Sequence, residues 1–409
     1  MDFGKFGFGF LRLPHMDPND PADVDLTTTK QMVDLYMQRG FRYFDTAYTY
    51  LGGKSEEALK LTLVQRYPRQ EFMIADKLPC GALRSGKKAA DIFAEQLARC
   101  GVDFFDVYLL HGLDGEDAAY SEEMGCFAFL AEQKRLGRVR YTGFSFHDTA
   151  EVLDGILTRH PEVDVVQLQL NYLDWDNPII QSGACWEVCL KHNKPVVVME
   201  PVKGGSLVNL PEQAQKVFDG LQGGSNASYA IRFAAGFEGV MMVLSGMSTI
   251  QQMNDNVSFM RVFQPLNTEE QDALKRVCAI FRNRDLVPCT GCRYCTEVCP
   301  QEIPIPELFT ALNAKRQEIA DLFRRMALIR SSEVLHPRGG TGYKFNAEGN
   351  QVCYRCDLKK VTTINFDRNK VRAYAVGLNK KSDRISGELD KCMVNTEVDY
   401  LAPFDVNDT

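Results

Sequence analysis

The segment FRYFDTAYTYLGGKSEE, residues 41–57, decides the fold that this sequence predicts. Its aromatic beginning favours a buried strand, and GGKSEE breaks the chain and starts a helix. Asp45 and Tyr50 lie where the strand gives way to the loop. An acid at the carboxyl end of a strand that opens a βα loop is where parallel α/β enzymes carry their chemistry. The segment therefore predicts a parallel α/β protein with a functional site at this strand end.

The alternation of strand and helix recurs along the chain. We expect strands at residues 7–13, 41–46, 72–78, 104–111, 139–145, 163–171, 195–200 and 239–245. We expect helices at TTTKQMVDLYMQRG and near residues 54–66, 86–100, 122–136, 148–159, 177–192, 211–235 and 249–260. Eight such units in about 260 residues predict a (β/α)8 TIM barrel, and runs such as DVYLL and PVVVM suit strands that are covered on both faces. A doubly wound open sheet is the alternative, but the G-x-G-x-x-G pattern is missing after every strand.

Composition and charge exclude several classes of function. The 409 residues are 45% hydrophobic and 25% charged, with a formal net charge of −7, as in an ordinary globular protein. The negative charge argues against nonspecific nucleic-acid binding and against binding to an anionic membrane surface. No apolar run approaches the length of a membrane span, and the first residues, MDFGKFGFGFLRLP, lack a signal-peptide pattern. We therefore expect a cytoplasmic protein.

Polar residues also end two strands downstream, Lys77 in FMIADKL and His111 in FDVYLLH. Together with DTAYTY, in which Asp45 and Tyr50 have the spacing D-x4-Y, the stretches ADK, LLH, GFS and QLQLN resemble the aldo-keto reductase family from residue 1 to about residue 260. The resemblance implies an NAD(P)H-dependent oxidoreductase that reduces an aldehyde or a ketone. It also implies that Asp45, Tyr50, Lys77 and His111 form the catalytic tetrad.

The chemistry of these four residues supports the same assignment. Carbonyl reduction by hydride needs a proton donor near the oxygen, and a free tyrosine, with a pKa of about 10, donates reluctantly at neutral pH. A buried lysine cation favours the phenolate, and a carboxylate keeps that lysine charged. We therefore expect Tyr50 to be the acid and base, Lys77 to tune it, Asp45 to anchor Lys77 and His111 to orient the carbonyl.

Each of these residues, considered alone, could have a structural role instead of a catalytic one. A lone histidine at a strand end is more often a core residue, and a single Lys–Asp pair is often structural. Tyr48 competes with Tyr50 for the role of the acid. Four such residues at three successive strand ends favour the catalytic interpretation.

Other residues that match positions of this family concern the cofactor, NADPH or NADH. Ser145 in GFSFHD and Gln167 in VVQLQLN fall where relatives hold the nicotinamide carboxamide. The stretch LSGMSTIQQMNDN aligns with the adenosine-phosphate loop, where the start of a helix can bind a phosphate. In that loop Ser248, Gln252 and Asn256 are the candidate contacts.

Three departures from the family pattern affect the cofactor pocket. Phe146 stands where relatives usually carry Asn, and Met199 or Glu200 stands where many carry the aromatic residue that stacks on nicotinamide. Gly246 and Gln252 stand where NADPH-preferring relatives place a Lys and an Arg. We therefore expect weak preference for NADPH over NADH.

A cluster of cysteines follows the expected barrel. Cys289, Cys292, Cys295 and Cys299 have the spacing C-x2-C-x2-C-x3-C-P, which is the ferredoxin pattern for a 4Fe-4S cluster. In a reducing compartment such a run predicts metal binding rather than disulfides, and the spacing disfavours the alternative of zinc. The following stretch, IPIPELFTALNAKR, resembles the ferredoxin-like tail of a bacterial subgroup of aldo-keto reductases.

The fourth ligand of this cluster stays open, because the second cysteine run that usually accompanies such a tail is missing. In two-cluster ferredoxins the fourth cysteine of one run binds the other cluster. The fourth ligand here is therefore Cys299 or one of Cys353, Cys356 and Cys392.

These observations predict three domains. Residues 1–265 form the barrel, residues 266–330 form a small helical iron–sulfur domain, and residues 331–409 form a tail to which no fold is assigned. A helix at 266–284 has Asn267 or Thr268 as its N-cap. In the tail KVTTINF and KVRAYAV have the composition of short strands.

The leading function is reduction of an aldehyde or a ketone, with the cluster structural, a sensor or a port to an external electron carrier. A second hypothesis is an iron–sulfur electron-transfer or redox-sensing protein whose barrel binds nicotinamide. A third is a flavin enzyme, because TIM barrels offer a phosphate site that a flavin nucleotide can use.

Overall fold

The structure, a computed structural model, describes residues 4–17, 20, 22–221, 223–282, 287, 301 and 303–316, together with four short strands between residues 342 and 375. Eight parallel strands close into a barrel in the order of the chain. They are β1 (Phe6–Gly9), β2 (Tyr43–Asp45), β3 (Met73–Pro79), β4 (Phe105–Leu113), β5 (Val139–Phe146), β6 (Val165–Gln169), β7 (Val196–Met199) and β8 (Val240–Gly246). The predicted (β/α)8 barrel is thereby confirmed.

Helices lie between the barrel strands along the chain, and further helices follow the last strand. They are α1 (Leu26–Gln38), α2 (Tyr50–Gly53), α3 (Ser55–Leu59), α4 (Cys80–Arg84), α5 (Ala89–Cys100), α6 (Gly115–Glu123), α7 (Cys126–Arg135), α8 (Ala150–Arg159), α9 (Ser182–Lys191), α10 (Glu212–Phe218), α11 (Asn226–Ala235), α12 (Ile250–Met260) and α13 (Thr268–Arg282). A π-helical turn at Lys60–Val64 follows α3 directly.

Three of the predicted helices are wrong in extent, and one of them, expected at 177–192, begins only at Ser182. The expected helix 211–235 is two helices, because Gly224 adopts a φ of 108° and Ser225 caps α11 through its side chain. The expected helix 122–136 begins only at α7, because Gly125 with a φ of 70° separates it from α6. The sequence did not predict α6, whose start is capped by the side chain of Asp114.

The barrel interior is filled by side chains rather than open. Its buried cluster is Tyr43, Met73, Ala75, Val107, Leu109, Val165, Val197, Met242 and Leu244. At Gly143 on β5 a Cβ atom would lie 1.9 Å from the carbonyl oxygen of Val165, so only glycine permits this approach of β5 to β6. Such packing leaves the carboxyl ends of the strands as the place for a site.

Helix α13 begins with a reciprocal capping interaction. The side chain of Asn267 accepts from the backbone N–H of Glu270 at 3.0 Å, and Oε2 of Glu270 accepts from the N–H of Asn267 at 2.9 Å. This confirms Asn267 as the N-cap. Glu270 also forms a buried ion pair with Arg232 of α11 at 2.7 Å, which joins α13 to the barrel helices.

The contacts between residues divide the chain into two compact units, with the boundary after Val298. In the second unit residues 305–316 are helical. Its strands β9 (Gly342–Phe345), β10 (Gln351–Arg355), β11 (Thr363–Asn365) and β12 (Arg372–Ala375) form an antiparallel sheet in the order β12-β11-β10-β9. The two short strands expected in the tail are confirmed as β11 and β12, whereas the domain boundaries at 265 and 330 stay predictions.

In the part of the chain that the structure describes, none of the helices has both the length and the apolar character that crossing a membrane requires.

Candidate active site

A buried ion pair lies at the carboxyl ends of β2 and β3. Nζ of Lys77 is 2.8 Å from Oδ1 of Asp45 and donates to the backbone carbonyl of Thr46 at 2.8 Å. Parallel pairing sets Asp45 opposite Ala75, two residues before Lys77, so both side chains point to the same face of the sheet. The side chain of Lys77 is fully buried and that of Asp45 is 3% exposed. A lysine buried this deeply keeps its charge only beside an anion.

Asp45 is subject to two opposing effects. Burial raises the pKa of its carboxyl group, and the charge and hydrogen bond of Lys77 act against that rise. Its Oδ2 is buried and has no hydrogen-bond partner among the residues that the structure describes. The ionised form of Asp45 therefore depends on the neighbouring Lys77.

Tyr50 packs against this ion pair and against His111. Nζ of Lys77 lies over the tyrosine ring, 4.8 Å from its centroid. The rings of Tyr50 and His111 meet edge to face, with their centroids 5.7 Å apart. A turn follows Tyr50 directly, in which Leu51 and Gly52 have φ values of 56° and 61°. The structure thus brings together all four residues of the predicted tetrad.

Tyr48, the competing acid, has different surroundings. Its hydroxyl group accepts from Nζ of Lys87 at 2.6 Å and donates to Oε2 of Glu95 at 3.1 Å. The guanidinium group of Arg99 lies over its ring, 4.4 Å from the centroid. Tyr48 is therefore part of a partly exposed charged network, whereas Tyr50 adjoins the buried lysine.

His111 of β4 is held as a neutral imidazole. Burial and the nearby Lys77 cation lower the pKa of His111 well below its usual range. A neutral imidazole offers one hydrogen-bond donor and one acceptor. His111 can therefore donate to a substrate oxygen beside Tyr50 without bringing a second positive charge to the site.

Ser145 and Gln167, the candidate nicotinamide contacts, lie side by side on β5 and β6. Oγ of Ser145 accepts from the backbone N–H of Gly112, the residue after His111, at 2.8 Å. Nε2 of Gln167 contacts Sδ of Met199 at 3.5 Å, and its Oε1 is buried without a partner among the described residues. This orphaned amide oxygen suits a ligand that brings an N–H group.

The candidate contacts in the loop between β8 and α12 are not equivalent. Ser248 donates through its backbone N–H to Oε1 of Gln252 at 2.7 Å, and Gln252 is exposed. Asn256 is buried and donates to Oγ of Ser245 at 3.0 Å. Ser248 and Gln252 therefore lie together at the helix start, whereas the amide of Asn256 supports the end of β8 from beneath.

Sequence reasoning missed one cation beside this loop. The carbonyl of Arg12 accepts from Oγ of Ser248 at 2.8 Å, and a Cβ atom at Gly246 would lie 3.1 Å from Cβ of Arg12. No local pattern signals this contact, because it joins the loops after β1 and β8. Lys203, a more obvious cation in the sequence, is buried and paired with Asp174 at 2.6 Å.

The four cysteines of the ferredoxin pattern, Cys289, Cys292, Cys295 and Cys299, lie outside the described residues. The 4Fe-4S site therefore stays a prediction from the spacing in the sequence.

A cavity of about 650 Å³ lies elsewhere on the first unit, and none of the four tetrad residues lines it. Its lining includes the aromatic side chains of Trp175, Phe233 and Phe237, and its Arg232 is already ion-paired with Glu270. Since no buried Lys–Asp pair beside a tyrosine is among the residues that line this cavity, the barrel mouth remains the candidate active site.

Comparison with known proteins adds a family to this geometry. The sequence model of the aldo/keto reductase family matches residues 6–279. An aldo-keto reductase of Mycolicibacterium vanbaalenii is 27% identical over 186 residues, which cover 44% of this chain and 61% of the relative. An aldo-keto reductase of Mycobacterium avium is 27% identical over 185 residues, which cover 45% of this chain and 60% of the relative. The chain thus spans about three fifths of the length of these curated relatives.

Solved structures show the same fold. An aldo-keto reductase from Bacillus halodurans, in its holo form, superposes with a TM-score of 0.53 at 22% identity, covering 67% of this chain and 91% of that one. An aldo-keto reductase from Klebsiella pneumoniae in complex with NADPH gives a TM-score of 0.53 at 18% identity, covering 67% of this chain and 90% of that one. At these identities the likeness concerns the fold alone.

Proposed function

This chain belongs to the aldo/keto reductase family, and from that premise we propose that it is an oxidoreductase that reduces an aldehyde or a ketone with NADPH or NADH. The observation that carries the proposal is the buried Lys77–Asp45 pair, whose cation lies 4.8 Å from the ring centroid of Tyr50. A phenol beside a buried cation is suited to acid–base work at neutral pH, because the cation favours the phenolate.

Each residue of the tetrad has one role in this proposal. Tyr50 donates a proton to the carbonyl oxygen as the alcohol forms, and Lys77 stabilises the phenolate that remains. Asp45 keeps Lys77 charged and, through the 2.8 Å contact, fixes the position of its Nζ. His111, neutral because of burial and the Lys77 cation, donates a hydrogen bond that orients the carbonyl.

The nicotinamide cofactor supplies the hydride when it is bound. Two observations support a site for it on β5 and β6: the orphaned Oε1 of Gln167 suits a carboxamide N–H, and Ser145 is held next to His111 by its bond to Gly112. For the adenosine phosphate we propose Ser248 and Gln252 at the exposed start of α12, with Asn256 positioning the loop. The relative from Klebsiella pneumoniae was solved with NADPH.

We further propose that Cys289, Cys292, Cys295 and Cys299 bind one 4Fe-4S cluster, supported by their spacing in the sequence. The fourth ligand is Cys299 or one of the cysteines at 353, 356 and 392. Measuring iron and sulfide per chain in the Cys299→Ala variant, and in a variant with both 353 and 356 changed, distinguishes these sources.

The cluster favours a second candidate function, electron transfer or redox sensing. A 4Fe-4S cluster passes electrons singly, whereas nicotinamide passes a hydride, so the two exchange only through a converter such as a flavin. In this alternative the barrel binds nicotinamide or flavin, and an external electron carrier docks at the cluster.

The test uses the full chain purified without oxygen. Carbonyl-dependent oxidation of NADPH and NADH is measured with a panel of aldehydes and ketones, and absorption spectra are recorded before and after acid treatment. Reductase activity with no acid-released flavin supports the proposal. Released flavin, together with no turnover of any carbonyl, would support the electron-transfer alternative.

A further inference from the structure

Behind the candidate active site, three buried side chains converge on the helix-facing side of β3. They are Glu56 of α3, Asp76 of β3 and Cys100 of α5. One carboxylate or sulfur atom of each lies within 4.8 Å of the others, and all three residues are fully buried. Asp76 directly precedes Lys77, so this cluster adjoins the tetrad through the backbone of β3.

Among the described residues, the carboxylate oxygens of this cluster lack one donor, although Sγ of Cys100 donates to Oδ2 of Asp76 at 3.6 Å. Oδ1 of Asp76 accepts from the backbone N–H of Lys77 and from Nε2 of Gln96, both at 2.8 Å. Oε2 of Glu56 accepts from Arg99 at 2.9 Å. Oε1 of Glu56 is buried and meets no donor among the residues that the structure describes. A buried carboxylate oxygen without a donor is costly, and two carboxylates this close repel each other.

We infer that Asp76 is a protonated carboxylic acid at neutral pH, that its proton sits on Oδ2 and is shared with Oε1 of Glu56, and that Asp76 is a positioning residue for Lys77. A single proton removes both difficulties, because it supplies the donor that Glu56 lacks and cancels one of the two charges. The proton is assigned to Asp76 rather than to Glu56, because Arg99 pairs with Glu56 at 2.9 Å and acts against the rise that burial gives the pKa of Glu56, whereas no arginine among the described residues pairs with Asp76.

The electrostatic surroundings agree with this assignment. The titratable groups that face Asp76 are Glu56, Arg99, Cys100, Tyr108 and Lys77. Burial, and next the charge of Glu56, raises the pKa of Asp76 well above its usual range. Burial likewise raises the pKa of the Cys100 thiol and of the Tyr108 phenol, so both stay neutral. The cluster then holds one anion, Glu56, opposite one nearby guanidinium group.

The positioning role follows from the backbone contacts. Asp76 binds the N–H of Lys77, and the same Nε2 of Gln96 that reaches Asp76 also donates to the carbonyl of Lys77 at 3.1 Å. The side chain of Gln96 is itself fixed, because its Oε1 accepts from the hydroxyl of Tyr108. The backbone on both sides of Lys77 is thus held from behind, which fixes where its Nζ lies in front.

The first test is the variant Asp76→Asn, whose amide keeps the oxygen acceptor and offers Nδ2 to Glu56. A raised pKa in the folded state means that the stability due to Asp76 is full below its unfolded pKa of about 3.9 and is lost as pH rises. The unfolding constant of the native chain, divided by that of Asp76→Asn, should therefore increase about tenfold per pH unit between pH 5 and pH 7. Fluorescence of the two tryptophans, Trp175 and Trp186, reports unfolding of the barrel.

Two further variants separate a proton from a merely structural contact. Asp76→Ala removes the acceptor for Lys77 and should lower kcat without raising the KM for NADPH, and Asp76→Asn should rescue kcat. Glu56→Gln removes the anion that repels ionised Asp76 but leaves Asp76 buried, so the infrared band of the protonated carboxyl group should disappear at a lower pH than in the native chain.

The outcome is decisive even if the reductase proposal fails, because only the kcat readout rests on that proposal. The inference is supported by two results together. The native chain shows a protonated-carboxyl infrared band at pH 7 that Asp76→Asn lacks, and the stability of Asp76→Asn relative to the native chain increases from pH 5 to pH 7. A native spectrum without such a band, or an Asp76→Asn variant destabilised equally at pH 5 and pH 7, would overturn it.

Discussion

Removal of the Lys77 cation provides a quantitative test of the buried ion pair. In Lys77→Met the aliphatic stem remains, but the buried Asp45 loses the partner that keeps it ionised. Its carboxyl group must then bind a proton on folding. With an ordinary pKa of about 3.9, uptake of that proton at pH 7 costs about 1.4 kcal/mol for each of about three pH units, or about 4 kcal/mol. Breaking a buried pair from one side costs about 3–5 kcal/mol, which agrees.

The loss depends on pH with a definite sign. Burial raises the pKa of Asp45 even beside Lys77, and the variant lacks the charge that acts against this rise. The variant should therefore be most stable below about pH 4 and lose stability as pH rises. Relative to the native chain the deficit should be at most about 1.5 kcal/mol at pH 5 and about 4 kcal/mol at pH 7, because burial already raises the pKa of Asp45 in the native chain. Denaturant unfolding followed by tryptophan fluorescence measures both values.

Two companion variants control this experiment. Adding Asp45→Asn to Lys77→Met removes the buried carboxyl group and should restore most of the lost stability at pH 7. Lys87→Met breaks the exposed pair with Glu95 and should leave stability nearly unchanged. The reasoning would be refuted if Lys77→Met lost the same stability at pH 5 and at pH 7. It would also be refuted if adding Asp45→Asn lowered the stability further instead of restoring it.

Three other predictions follow from the site. Burial and the Lys77 cation hold the pKa of His111 well below its usual range, so kcat should not fall between about pH 8 and pH 6. A fall in kcat over this range that His111→Gln abolishes would contradict this. Steady-state kinetics should show weak preference for NADPH, since Gly246 and Gln252 carry no charge for a 2′-phosphate. A hundredfold preference would contradict this and would assign the pairing to Arg12, which lies beside Gly246. Cys292→Ala should lose the iron and sulfide of the cluster while the barrel stays folded; full iron would disprove its role as a ligand.

Most of the barrel was predictable because its signals are local. Apolar strands, polar strand ends and glycine-rich breaks all lie within a few residues of one another, as in residues 41–57. The split between α10 and α11 was missed although GLQGG lies between them, because the flanking residues keep helical periodicity. Helix α6 was missed because its only strong signal is the capping Asp114.

In the candidate site, too, features with local sequence signals were predictable and features that depend on distant residues were not. The convergence of the four predicted tetrad residues was predictable, because each lies near the carboxyl end of a strand or in the segment that follows it. Their catalytic roles stay a prediction. The contact of Arg12 with the loop at Gly246 joins residues more than 230 positions apart, and only closure of β1 on β8 brings them together. The proton inferred on Asp76 likewise depends on which helix residues meet the outer face of β3. Nothing local in IADKL distinguishes that carboxyl group from an exposed one.

The measurement that tests the central claim most directly compares Tyr50→Phe with Tyr48→Phe in carbonyl reduction. Tyr50 adjoins the buried lysine, whereas the hydroxyl group of Tyr48 is bonded to Lys87 and Glu95. Tyr50→Phe should lower kcat on the order of 10²–10⁴-fold with little change in the dissociation constant of NADPH, and Tyr48→Phe should keep nearly full kcat. Near-native kcat in Tyr50→Phe, together with loss of activity in Tyr48→Phe, would contradict the account.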